Sequence, residues 1–195
     1  LGTRRARAAA LLTAALPGEL YLYQGDELGL PEFERLDDQL RTDPMFLRSG
    51  GVDPGRDGCR VPLPWSGDAP PFGFGTARGQ PTWLPQPPEW AALTVAAQGA
   101  DPASMLSLYR AALRIRRAEL PGTDMAWLPA PDGVLAFRRG TRFACTVNLS
   151  DRPVELPEPS AVLLTSDDLV DGRLPTDTAA WLRCTPAPAH APGEE

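Results

Sequence analysis

Two neighbouring carboxylates, Asp26 and Glu27, are the first residues of the chain whose types could do chemistry. They follow an apolar run at 20–23, which is typical of a short strand buried on both faces. Catalysis by paired carboxylates requires two carboxyl groups that face one bond, roughly 5–9.5 Å apart. Because neighbouring side chains that leave a strand point to opposite sides, at most one of the two faces a given pocket. We interpret the pair as a positioning element, with a solvated or capping acidic pair as the alternative.

A second cluster of charged residues lies about 30 positions later, in a loop that contains several prolines. It consists of Arg56, Asp57 and Arg60, followed by Trp65. An arginine side chain carries a planar fork of donors that can hold a carboxylate or a sugar hydroxyl in a defined geometry. Asp57 could orient one arginine while the other faces a ligand, and a structural clamp of the loop is the equal alternative. Trp65 could stack on the apolar face of a ligand or anchor the loop.

The composition argues against several classes of partner and site. The formal charge of −6 argues against a nucleic-acid-binding or anionic-membrane surface, although all 19 basic residues are arginine. No apolar run approaches the roughly 20 residues that span a bilayer. Three cysteines, Cys59, Cys145 and Cys184, favour reduced thiols in a cytoplasmic protein. The only histidine is His190, so the chain predicts neither a histidine-dependent triad nor a histidine-based metal site, and no cofactor.

The local patterns predict an α/β part. Residues 3–16 favour a helix that ends at Pro17, and a strand is predicted at 20–24. Residues 26–100 are irregular and rich in proline and glycine; disorder is one interpretation, but their aromatic residues favour an ordered functional loop. A helix is predicted to start at Asp101 and Pro102. Its C-terminal half carries a basic face that we expect to be solvated: Arg110, Arg114, Arg116 and Arg117.

A period-two pattern predicts a small antiparallel β domain after this helix. Two apolar runs, 134–137 and 143–147, flank a turn at Gly140 and indicate a hairpin. Further strands are expected at 153–156, 161–165 and 178–183. A β domain of about 60 residues is small to stand alone, so we expect it to pack on the α/β part. The tail at 185–195 is predicted to be disordered.

Several segments together resemble glycoside hydrolase family 13, the α-amylase family, and most of all its α-glucosidase and oligo-1,6-glucosidase branch. The combination of YQGDELG with RDGCRVPLPW at this spacing is found in few other families. The matching segments lie at 16–32, 43–65, 72–75, 83–90 and 104–122.

The resemblance implies a fold of two parts. Residues 1–121 would be the C-terminal fragment of a (β/α)8 TIM barrel, including the long eighth βα loop. Residues 122–184 would be a small antiparallel β-sandwich, the family's domain C, followed by the tail at 185–195. The fragment would pack on an N-terminal barrel portion that precedes Leu1.

The resemblance also implies a function. Members use an Asp nucleophile, a Glu acid/base and a second Asp, all of which are expected to precede Leu1, so this chain has no catalytic residue of its own and should be inactive alone. Arg60 matches the arginine that binds the nonreducing glucose, and Glu27 matches a carboxylate near the acceptor subsite. Arg56 and Asp57 would shape the same loop. The expected function is hydrolysis of terminal α-linked glucose from short oligosaccharides by the whole protein. A non-catalytic carbohydrate-binding or structural module, or a truncated gene product, is the alternative.

Overall fold

The computed structural model describes residues 1–75, 81–120, 122–157 and 160–184. Within this part, the chain forms two compact units. The first combines residues 1–21 with the described residues from 108 onward, and the second comprises 22–107. The predicted domain boundaries at 121/122 and 184/185 stay predictions, and the predicted disordered tail at 185–195 lies outside the described residues.

The first unit contains a five-stranded antiparallel sheet in the order β1-β2-β3-β5-β4. The predicted hairpin is confirmed as β2 and β3, joined through Gly140 at a positive φ of 57°. The strand predicted at 153–156 is wrong, because only Val154 pairs there, in an isolated bridge to Leu174. The strands are Met125–Trp127 (β1), Val134–Arg139 (β2), Phe143–Asn148 (β3), Ser160–Thr165 (β4) and Thr178–Cys184 (β5).

The two faces of this sheet are covered by different elements. On one face packs α1, Gly2–Ala15, which confirms the predicted first helix. The indole Nε1 of Trp181 donates to the Leu11 carbonyl at 3.0 Å, and the Trp181 ring meets Phe143 edge to face. On the other face, in place of the second sheet of a sandwich, an irregular segment contributes Leu174 and Val154 to a cluster with Ala144 and its neighbours. The predicted all-β part is therefore one sheet between a helix and an irregular segment.

Two arginines satisfy the backbone at the C-terminal end of α1. The last carbonyl groups of a helix have no partner within the helix. The Arg116 guanidinium, on α4 (Met105–Glu119), donates to the carbonyl groups of Ala14 and Leu16. The Arg139 guanidinium donates to those of Ala15 and Leu16, at 3.2 and 3.3 Å. The expectation that Arg116 is solvated is therefore wrong, because its side chain caps a neighbouring helix.

Replacing Arg139 by alanine is expected to lower the free energy of unfolding by about 1–3 kcal/mol, because carbonyl groups at the end of α1 lose their donor. Urea unfolding followed by circular dichroism measures the change. Arg138, the next residue on β2, is exposed, so Arg138→Ala is the matched control and should stay within about 0.5 kcal/mol of the parent. Equal losses in the two variants would contradict the capping role of Arg139.

The predicted strand at 20–24 is wrong for the described chain. Residues 19–23 have no regular secondary structure, and Tyr21 is 84% exposed. A buried parallel strand needs hydrogen-bonded neighbours on both edges, and the five described strands pair only with one another. Three residues of the apolar run are exposed in this structure: Tyr21, Leu22 and Tyr23.

The second unit confirms that the long proline-rich region is ordered where it is described. It contains two short helices, α2 (Pro44–Arg48) and α3 (Val95–Gly99), and four 3-10 turns. Its side chains enclose an apolar core of fully or nearly fully buried residues, which supplies the burial that a disordered segment lacks. The core consists of Leu36, Val61, Phe72, Leu84 and Trp90.

The start of α4 differs from the prediction by three residues. Asp101 accepts a hydrogen bond from the Ala103 amide at 2.8 Å and closes a turn ahead of the helix. The helix begins at Met105, and the Ser104 hydroxyl accepts from the Ser107 amide at 3.1 Å. Ser104 therefore has the contact of an N-cap, for which serine and aspartate are both suited.

Candidate functional site

The first acidic pair lies within a single 3-10 turn, Asp26–Leu28. The Glu27 carboxylate accepts a hydrogen bond from the Gly25 amide at 2.8 Å, and the Asp26 carboxylate accepts from the Tyr23 amide at 3.2 Å. Gly25 adopts a φ of 100°, a backbone conformation that would be strained in a residue with a side chain. Both carboxylates therefore accept hydrogen bonds from backbone amides at this turn, and Glu27 is half-buried.

A buried glutamine holds this turn in place. The Gln98 side chain donates to the Leu28 carbonyl at 2.8 Å, and its side-chain oxygen accepts from the Leu106 amide. Gln98 is 5% exposed, so these bonds have little competition from water. The turn that carries Glu27 is therefore tied to the region where α4 begins.

Asp57 points into the protein and clamps the loop. Its carboxylate accepts hydrogen bonds from the amides of Thr42 and Asp43, at 2.6 and 2.7 Å. Asp57 is 1% exposed, which agrees with the structural clamp and places the side chain away from solvent. Its effect on any ligand would therefore pass through the backbone that it holds.

Asp43 is the residue of this site that sequence reasoning missed. One carboxylate oxygen accepts from the Met45 amide at 2.8 Å, as an N-cap of α2. The other accepts from the Arg60 guanidinium at 2.7 Å and from the Arg56 amide at 3.2 Å. The dipeptide Asp43-Pro44 carried a signal for it, because aspartate followed by proline marks a helix start.

Arg60 is held on one side and open on the other. Its Nη1 lies 2.7 Å from the Asp43 carboxylate and 3.5 Å from that of Asp57, and 38% of the side chain is exposed. Within the described residues, its Nε and Nη2 make no hydrogen bond. Arg56 is exposed, and in the same part of the chain its guanidinium forms no ion pair. Arg60 therefore presents oriented donors, whereas Arg56 presents a free cation.

The charges of this cluster favour the ionised forms. The amide of Met45 lowers the pKa of Asp43, and the Arg56 amide and the Arg60 guanidinium add to this against an opposing desolvation. Desolvation acts to lower the pKa of Arg60, but the hydrogen bond and charge of Asp43, with the charge of Asp57, outweigh it and raise the pKa. Because the carboxyl pKa is depressed, the pair stabilises the fold above the ordinary carboxyl pKa and loses this contribution as the pH falls through the folded value.

The two sequence motifs meet at a small pocket of about 70 Å³ in the second unit. Tyr23 and Asp26 line it from the first motif, and Gly58 and Cys59 line it from the second. Burial raises the pKa of Tyr23, and the neighbouring Cys59 adds to this. The structure thus brings the two motifs together, with Arg56, Asp57 and Arg60 gathered around Asp43. In the part of the chain that is described, Glu27 makes no direct hydrogen bond or ion pair with those three.

In the described part of the chain, no group of three or more His, Cys, Asp or Glu side chains is placed to hold a metal ion. None of the helices there has the length and the apolar character that crossing a membrane requires.

Family profiles match both parts of the chain. The profile described as "Alpha amylase, catalytic domain" matches residues 2–122. This chain belongs to the alpha-amylase family. The profile described as "Domain of unknown function (DUF3459)" matches residues 125–181. The resemblance that the two motifs indicated is therefore confirmed.

Relatives in the alpha-amylase family carry glucosidase names. A probable alpha-glucosidase of Rhizobium meliloti (strain 1021) is 35% identical over 159 residues, which are 78% of this chain and 28% of the relative. A glucan 1,6-alpha-glucosidase of Streptococcus dysgalactiae subsp. equisimilis is 29% identical over 170 residues, which are 76% and 31%. The chain thus spans less than a third of the length of either relative.

Solved structures of the alpha-amylase family share the fold. An alpha-glucosyl transfer enzyme, XgtA, superposes with a TM-score of 0.70 and 30% identity, over 93% of this chain and 36% of that one. Trehalulose synthase MutB from Pseudomonas mesoacidophila MX-45 superposes with a TM-score of 0.73 and 23% identity, over 92% and 38%. The predicted fold class, part of an α-amylase-type barrel followed by an antiparallel β part, is confirmed.

Proposed function

We propose that this chain is part of a retaining α-glucosidase that hydrolyses terminal α-linked glucose from short oligosaccharides. The observation that carries the proposal is the Arg60 guanidinium, which two buried carboxylates hold while its Nε and Nη2 make no hydrogen bond to any described residue. Charged donors held in this way suit the hydroxyl groups of a sugar ring. The names of the alpha-glucosidase and glucan 1,6-alpha-glucosidase relatives support the same substrate class.

The site residues have different roles in this proposal. Arg60 binds the nonreducing glucose, and Glu27 lies near the acceptor side and keeps its turn in shape. Arg56 adds a free positive charge at the rim of the same loop. Asp57 contributes by holding the loop backbone, because its own carboxylate is buried and accepts two amide hydrogens.

The remaining part of the enzyme would supply the nucleophile and the acid/base. We propose that the exposed apolar segment at 20–23 pairs as a strand with that part of the barrel, which would cover Tyr21 and Leu22. The substrate would be an α-glucosidic oligosaccharide, with neither nucleic acid nor membrane as partner. The three cysteines are free thiols, which supports a reducing compartment such as the cytoplasm.

Glucosyl transfer is a second candidate, because the alpha-glucosyl transfer enzyme XgtA is 30% identical to this chain. The complete enzyme, incubated with maltose and separately with isomaltose, tests both. Release of glucose as the main product, first as the α-anomer, is expected for a retaining hydrolase. Trisaccharides as the main product at every substrate concentration would favour transfer, and no turnover of either sugar would contradict the proposed function.

A further inference from the structure

We propose that Asp43 is a positioning residue for Arg60, with Asp57 holding the backbone from which Asp43 extends. This inference rests on the proposed function, in which Arg60 binds the substrate. Two carboxylates, those of Asp43 and Asp57, lie near the same nitrogen of Arg60, Nη1. Asp43 touches no substrate in this proposal; it decides where the substrate-binding donors of Arg60 point.

The carboxylate of Asp43 has a defined place because several directional bonds converge on it. Asp43 is only 3% exposed, and backbone amides of Met45 and Arg56 donate to its two oxygens. Backbone donors do not change rotamer, so the carboxylate cannot follow Arg60 if that side chain moves. The bond of 2.7 Å to Arg60 therefore draws the arginine to a fixed point.

Asp57 sets the position of Asp43. One of its oxygens accepts from the amides of Thr42 and Asp43 and so fixes the backbone from which the Asp43 side chain extends. The other oxygen is buried, has no hydrogen-bond partner among the described residues and lies 3.5 Å from Nη1 of Arg60. Burying a carboxylate oxygen without a hydrogen bond costs free energy, and the nearby positive charge of Arg60 offsets this cost.

Gly55 allows the loop to approach Asp43 closely enough for these bonds. A Cβ at position 55 would lie 2.6 Å from the Cβ of Asp43, and Gly55 has a φ of 65°. Any side chain there would push the Arg56–Arg60 segment away from the carboxylate. The positioning of Arg60 therefore depends on a close approach of Gly55 to Asp43 as well as on charge.

The consequence for Arg60 is that one edge of its guanidinium faces the protein and the other stays free. Both carboxylates engage Nη1, which leaves Nε and Nη2 without a hydrogen bond in the described part of the chain. A free arginine side chain would have to be ordered when substrate binds, at a cost in conformational entropy. Removing the charge of Asp43 should restore that cost and misplace the donors.

The test uses kinetics of the complete enzyme with four variants: Asp43→Asn, Asp38→Asn, Arg60→Ala and the double variant of Asp43→Asn with Arg60→Ala. Asparagine is a good N-cap, so the start of α2 is kept while the charge is lost. Asp43→Asn is expected to lower kcat/KM roughly 10- to 100-fold, because misplaced binding groups cost rates of this order. Asp38 is the matched control: it lies in the same loop with 78% of its side chain exposed, and it pairs with Arg41 at 3.3 Å, a contact that the side-chain oxygen of asparagine can keep. Asp38→Asn should therefore change kcat/KM less than about twofold.

The double variant separates positioning from a general loss of structure. If Asp43 acts through Arg60, adding Asp43→Asn to Arg60→Ala should lower kcat/KM no further. Full additivity of the two effects would overturn the inference. Asp43→Ser, which also keeps an N-cap without the charge, is the second variant should Asp43→Asn fold poorly, and the same non-additivity is expected.

The outcomes for the proposed function and for this inference are distinct. Unchanged kcat/KM in Arg60→Ala would remove Arg60 from the substrate site and contradict the proposed function. A strong loss in Arg60→Ala together with an Asp43→Asn variant that behaves like Asp38→Asn would leave the function in place and overturn only the positioning role.

Discussion

Replacing Arg60 by alanine is expected to lower kcat/KM of the complete enzyme on α-glucosides roughly 10²- to 10³-fold, or about 3–4 kcal/mol. On the proposed function, substrate hydroxyl groups would lose charged donors whose position is set before binding. In this structure the Arg60 guanidinium is held by the Asp43 carboxylate, and the two charged groups are 2.7 Å apart. Initial rates on maltose and isomaltose, measured below saturation, give the ratio directly.

A matched control separates this effect from a general effect of losing a surface cation. Arg35 lies in the same unit, has 86% of its side chain exposed and, among the described residues, forms one long contact of 3.6 Å with Glu89. Arg35→Ala should leave kcat/KM within about twofold. Arg60→Ala also leaves the Asp43 carboxylate with one partner fewer, so thermal unfolding of each variant must be recorded beside the kinetics. A folded Arg60→Ala variant with parental kcat/KM would contradict the prediction.

The 195-residue chain alone is expected to show no turnover of α-glucosides. Retaining hydrolysis needs a nucleophile and an acid/base whose carboxyl groups lie about 5–5.5 Å apart on either side of the bond. The carboxylates that the structure describes in the two motifs are committed elsewhere: Asp26 and Glu27 accept from turn amides, and Asp57 accepts from two others. On the proposed function, this chain would supply binding groups, and the cleaving pair would come from the rest of the enzyme.

Release of nitrophenol from a nitrophenyl α-glucoside measures this, with the complete enzyme at equal molar concentration as the positive control. Turnover by the chain at a rate near that of the complete enzyme would refute the prediction. Calorimetric titration of the chain with glucose and maltose adds a second readout. Clear binding without turnover would favour the alternative of a carbohydrate-binding module, and a cooperative thermal transition of the chain would argue against a product without a stable fold.

Helices and hairpins that depend mainly on the residues within them could be predicted from the sequence. The alanine-rich run at 2–15 forms a helix, because its residues have high helix propensity and a proline and a glycine follow. The hairpin of β2 and β3 follows from alternation on both sides of Gly140. The two motifs were sufficient to indicate the family, because their residue types and spacing are unusual together.

Features that need a distant partner could not be predicted in the same way. The apolar run at 20–23 has the composition of a buried strand, but a strand exists only when neighbours accept its hydrogen bonds, and the described strands do not. Arg116 has the sequence context of a solvated helix face. Its guanidinium nevertheless donates to a carbonyl group at the end of α1, about 100 positions earlier in the chain. Asp57 has the residue type of a ligand-binding group, yet burial turns it into a clamp for backbone amides.

For the site, the sequence by itself determined which charged groups are available and that they belong to two motifs of the alpha-amylase family. Only the tertiary structure decided how they are used. It placed Asp43 against Arg60, 17 positions apart, and left the free edge of the guanidinium open. The physical reason is that residue type and spacing encode local conformation and chemical capacity, whereas the strength and direction of a charged contact depend on burial and on backbone donors that folding brings together.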